Sequence, residues 1–166
     1  MATQSDFTPD EWKRLLSSPL LASMAVTLAD PSGLFGTIKE AAAGGMALLE
    51  AKSAPVANPL MKSIAAAIGT SEGRGLAQAS LKAEMTGKTA AEVKAKAIAG
   101  LAEVGQLLDA KAPTDAPGVK AWLKHIAEKV AGASSEGGFL GFGGVKVSDA
   151  EKATLAEVAA ALKIAA

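Results

Sequence analysis

VKAWLKHIAEKV, residues 119–130, reads as one turn after another of an amphipathic helix. Val119, Trp122, Leu123, Ile126, Ala127 and Val130 recur at three- and four-residue intervals, which a helix stacks on a single face. Lys124, His125 and Glu128 take the polar flank. The same spacing returns near the C-terminus in Leu155, Val158, Ala159 and Leu162, and upstream in Ala97, Leu101, Val104 and Leu108. Three helices with matching apolar stripes predict mutual packing, and they predict that Trp122, central in its stripe, is buried.

Helix starts are marked by caps. In TPDE, Thr8 can accept an orphan N–H at the helix start, Pro9 suits the first helical position, and Glu11 can reach back to the cap. TAAE (Thr89–Glu92) and SDAE (Ser148–Glu151) repeat the capping box, while Ser17–Pro19 and Ala57–Pro59 read as starts with proline in the first turn. These signals predict helices near 9–16, 19–29, 34–51, 58–68, 72–85, 89–110, 117–132 and 149–163, the first two short enough to form one bent unit. No stretch alternates apolar and polar residues far enough to argue for a sheet; GGVKV makes a short extended piece at most. The expectation is an all-α, single-domain bundle of about seven to eight helices. The proline-containing segment Lys111–Gly118 is the clearest linker, joining lobes 1–112 and 117–166. Gly44, Gly45, Gly100 and Gly105 interrupt helical patterns and read as kinks or close helix contacts, because glycine inside a helix costs about 1 kcal/mol against alanine.

The chain has 166 residues, enough for one domain with a sizeable core. Aromatics are 4%, and much of the apolar fraction is alanine, which lets helices approach closely. Lys plus Arg and Asp plus Glu are both 17, so the formal net charge is zero. Nucleic-acid binders draw affinity from a basic excess, and none exists here. A chain without net charge has little colloidal repulsion and tends to self-associate. The absence of cysteine excludes disulfides, thiol catalysis and thiolate metal sites, and it fits a cytoplasmic protein. No basic and apolar leader pattern of a secretory signal opens the sequence. The longest uncharged run, Leu15–Ala29, is shorter than the about 20 residues a spanning helix needs, so it is expected to be a buried core helix.

Catalytic patterns are missing. His125, the one histidine, lies on a polar helix flank and reads as a solvated surface residue. It has no nucleophile elbow to serve. A di-iron bundle needs Glu-x-x-His on two helices, which one histidine cannot supply. GTSEGRG (Gly69–Gly75) lacks the lysine and preceding strand of a phosphate loop and reads as a tight turn capped by Ser71. GFGG (Gly141–Gly144) lacks the βαβ setting of a dinucleotide site.

Before the last helix comes the glycine-rich SSEGGFLGFGG, residues 134–144. Glycine permits close backbone approach and an irregular path. Phe139, Leu140 and Phe142 are expected either to close the core or to anchor a protein partner, a second copy or a membrane surface. Glu136 in this loop, with Asp149 and Glu151 in the first turn after it, offers oxygen ligands that suit a hard divalent cation. The carboxylates of the helix also complement its dipole.

From Trp122 onward the chain resembles the TerB-like helical domains, of the tellurite-resistance TerB and DjlA N-terminal type. The likeness runs through Leu123, Ile126, Ala127, Val130 and Ala131, then Gly144, Val147, Ser148, Glu151, Leu155, Val158, Ala159 and Leu162, about a quarter of the chain. The family's aspartate–glycine turn is replaced here by the longer glycine and phenylalanine loop. The resemblance implies an all-α, non-catalytic, sometimes metal-binding protein linked to stress or membrane-associated assemblies. Taken together, the sequence predicts a non-enzymatic helical interaction protein. A small-molecule or lipid-binding protein is the alternative, motivated by PLLASMAVTLA (Pro19–Ala29) beside GLFG (Gly33–Gly36).

Overall fold

Thr8 opens the first helix as the cap pattern predicts. Its Oγ1 accepts from the Glu11 N–H at 3.3 Å, and its own N–H donates to Glu11 Oε2 at 2.7 Å. The structure, a computed structural model, describes residues 1–29, 58–135 and 147–165, with backbone only at 134 and 135. Those residues form six α-helices and no strand: α1 (Pro9–Thr27), α2 (Pro59–Ile68), α3 (Ser71–Met85), α4 (Ala90–Lys111), α5 (Ala116–Ser135) and α6 (Asp149–Ala161). A 3-10 turn, Gln4–Asp6, precedes them. The helix expected over 34–51, with Gly44 and Gly45, lies outside the described residues.

The expected break at Ser17–Pro19 does not occur, and α1 runs unbroken through Pro19. Proline has no N–H, so the Leu15 carbonyl one turn back loses its helical donor. Ser18 replaces that donor: its hydroxyl donates to Leu15 O at 2.7 Å, in a fully buried setting. Ser18→Ala should therefore leave a buried carbonyl without a partner and cost about 1–2 kcal/mol in urea denaturation, within the range for such losses. A change too small to measure would mean that the carbonyl finds another donor.

Because α1 is apolar around most of its circumference, it is surrounded. Trp12, Leu15, Leu16, Leu21, Ala22, Ala25 and Val26 are all buried, and α1 packs most extensively on α4, then α5 and α3, with α2 and α6 at its margins. The uncharged run from Leu15 is thus the centre of the core. Among the described residues no helix is long and apolar enough to cross a membrane.

The three predicted stripes close around this hub. Ala97, Leu101, Val104 and Leu108 of α4, Val119, Trp122, Leu123, Ile126, Ala127 and Val130 of α5, and Val158, Ala159 and Leu162 at α6 are buried in it, with Leu155 packed at its edge. Glycine sets the closest approaches. A Cβ on Gly100 would meet Leu21 Cδ1 of α1 at 2.9 Å, and one on Gly105 would lie 3.4 Å from the Ala161 carbonyl at the end of α6.

Two caps differ from expectation or extend it. At α3 the cap is Thr70, not Ser71: Thr70 Oγ1 accepts from Gly73 N–H at 3.0 Å and donates to Ala67 O at 2.7 Å, so one hydroxyl joins the end of α2 to the start of α3. At α2, Asn58 Oδ1 accepts from Leu60 and Met61 N–H, while its Nδ2 donates to Asp115 O at 3.0 Å. Of the segment expected to be a linker, Lys111–Gly118, only Ala112–Asp115 lies between helices, as a tight turn, and Ala112, Asp115 and Ala116 are buried. The buried Asp115 carboxylate accepts from Ala2 N–H at 2.6 Å and ties the N-terminal segment to it.

Candidate binding groove

The N-terminal segment folds back over the start of α1. Phe7 and Trp12 stack obliquely, with ring centroids 6.3 Å apart and planes at 34°. Between this pair and the flank of α3 runs a groove of about 670 Å³, lined by Thr3, Gln4, Ser5, Phe7, Pro9, Trp12, Lys13 and Leu76. Its apolar wall is aromatic and aliphatic, and its polar edge is the 3-10 turn. Leu76 is 39% exposed, an unusual setting for a leucine on a helix whose buried stripe is Gly73, Ala77 and Leu81.

Charged side chains near the groove are already engaged. Lys13 pairs with Asp10 at 3.0 Å, and Arg14 with Glu103 at 3.2 Å, beside a separate polar cleft of about 300 Å³ between α1, α3 and α4. Glu11 Oε2 accepts from Lys111 Nζ at 2.6 Å, which pins the start of α1 to the end of α4. The Lys111 ammonium, then the Thr8 N–H, hold the Glu11 carboxyl below its ordinary value of 4.5. The Thr3 N–H likewise lowers Asp6, and the Thr89 N–H lowers Glu92.

A carboxyl whose folded-state pKa is lowered adds stability at pH values above the unfolded pKa, and that stability is lost as pH falls through the folded pKa. Glu11→Gln should therefore lower the melting temperature at pH 7. The gap between variant and wild type should shrink as the pH drops below about 4.5, the ordinary carboxyl range. A gap that stays constant from pH 7 to pH 3 would show that the charge on Glu11 does not matter.

The residues singled out by sequence fare differently. Asp149 is exposed and pairs with Lys152 at 3.0 Å. Glu151 is buried and accepts from Ser148 N–H at 2.8 Å, so both carboxylates serve the start of α6. No three His, Cys, Asp or Glu side chains converge as a metal site among the described residues. Glu136, Phe139, Leu140 and Phe142 lie outside the described residues. His125 is half-buried on α5 rather than fully solvated. The groove was missed by pattern reading, although one signal was present: Leu76 falls on the flank of α3, off its Gly73, Ala77 and Leu81 stripe.

No protein-family model, curated protein or solved structure matches the chain.

Proposed function

We propose that this is a non-enzymatic helical interaction protein that binds another protein surface through the groove at the start of α1. The observation that carries the reading is Leu76, an exposed leucine at the lip of a concavity walled by Phe7, Pro9 and Trp12. The neighbouring ionisable groups are spent on caps and ion pairs, which leaves apolar contact as what the groove offers. Phe139, Leu140 and Phe142 are a second proposed anchor, and the resemblance of the C-terminal hairpin to TerB-like domains is the ground for proposing that such binding belongs to a cytoplasmic, stress-linked assembly. Glu136, Asp149 and Glu151 remain the proposed oxygen ligands for a divalent cation there.

A second reading, an apolar small molecule or lipid as ligand, is favoured by the groove's volume, which falls within the range of about 300–1,000 Å³ typical of ligand pockets. Native mass spectrometry of the full chain separates the two. Protein-mass complexes support the interaction reading. A retained small-molecule mass that Trp12→Ala removes overturns it in favour of the second.

A further inference from the structure

Helix α3 lies at the edge of the described helices. Among the described residues it packs on α1 and α2, and the residues it buries are Gly73, Ala77 and Leu81. Opposite that stripe, at 100° per residue, Glu72, Gly75, Leu76, Ala79, Lys82 and Ala83 share an arc of about 120°. All six are exposed. Gly75, Ala79 and Ala83 form a low ridge, and a Cβ on Gly75 would meet nothing within 4 Å. Leu76 borders the ridge on the side of the groove. Glu72 stands at one end of the face and Lys82 at the other, and neither makes an ion pair within the described residues.

This arrangement complements itself. Placed against its own copy in antiparallel register, centred at the level of Ala77, the face sets Gly75 against the partner's Ala79. It also sets Glu72 against the partner's Lys82, twice per pair because a twofold interface repeats every contact. A parallel register would instead oppose Glu72 to Glu72 and Lys82 to Lys82. Small residues let the two backbones approach, and the Leu76 side chains and grooves of both copies then line the same flank of the seam. The zero net charge removes long-range repulsion between copies.

We infer that the partner is a second copy of this chain, docked through the outward face of α3 in antiparallel register about a twofold axis. The inference rests on the interaction reading above and names its partner. A seam of one 15-residue helix per copy with the groove edges is at the small end of specific interfaces, under about 1,200 Å² in total, so the dimer is weak and concentration-dependent.

Sedimentation equilibrium of the full chain at low ionic strength tests this, with circular dichroism to check that each variant is folded. Wild type should dimerise reversibly, and raising the salt should weaken it. Glu72→Lys alone and Lys82→Glu alone should each weaken the dimer roughly tenfold, since each turns two attractions into two repulsions. The combined Glu72→Lys/Lys82→Glu chain should recover most of that loss. A chain that stays monomeric at all concentrations overturns the inference. So does a dimer indifferent to the single reversals, or one not rescued by the double; in those cases the interaction reading survives with another surface or partner. If a reversal unfolds α3, the wild-type dimer and Leu76→Asp decide instead: retention of the dimer in Leu76→Asp overturns the proposal.

Discussion

Trp122→Ala is expected to destabilise the protein by about 3–5 kcal/mol, the range for truncating a large buried aromatic. Trp122 is 6% exposed on α5, with Leu123, Ile126 and Ala127 fully buried in the same two turns. The stripe it belongs to faces α1 and α6 as well as α4, so the space left by the indole cannot be refilled by one neighbour moving in. Equilibrium unfolding in urea reads the loss directly. A change below about 1 kcal/mol would mean that the core around α5 collapses without penalty, contrary to close packing.

Gly73→Ala should cost about 3 kcal/mol or more, at or beyond the upper end of the usual overpacking range. The added Cβ would stand 2.1 Å from the Ala67 carbonyl oxygen and 2.6 Å from its carbon. These are backbone atoms, so no side chain can swing aside, and α2 and α3 must part. The Thr70 hydroxyl that joins the two helices would be displaced with them. Gly132→Ala is the control, since a Cβ there meets nothing within 4 Å. It should stabilise by about 0.5–1 kcal/mol through helix propensity. Equal effects at the two positions would contradict the close approach at Gly73.

Helix type and most boundaries were legible because cap chemistry is local. Thr8, Thr89 and Ser148 each bond the residue three positions on, and such pairs can be seen in sequence without knowing the tertiary fold. The core stripes were legible for the same reason, through the 3.6-residue period. Pro19 misled because proline normally ends a helix, and the compensation by Ser18 is a side-chain geometry that spacing does not reveal. The burial of α1 was legible in the uncharged run Leu15–Ala29, but its role as hub was hidden, because the break expected at Pro19 split it into two shorter helices. The groove was hidden because Phe7 and Leu76 are far apart in sequence and meet only when the N-terminal turn folds onto α1 beside α3.

If Leu76 and the groove serve association rather than the core, Leu76→Asp separates the two roles. The measurement is the dimer fraction by sedimentation equilibrium, taken with the melting temperature of the same samples at matched monomer concentration. Because Leu76 is 39% exposed and lies outside the buried core, the melting temperature should stay close to wild type while the dimer is lost. A fall in melting temperature comparable to that of a core substitution, with the dimer fraction unchanged, would contradict it.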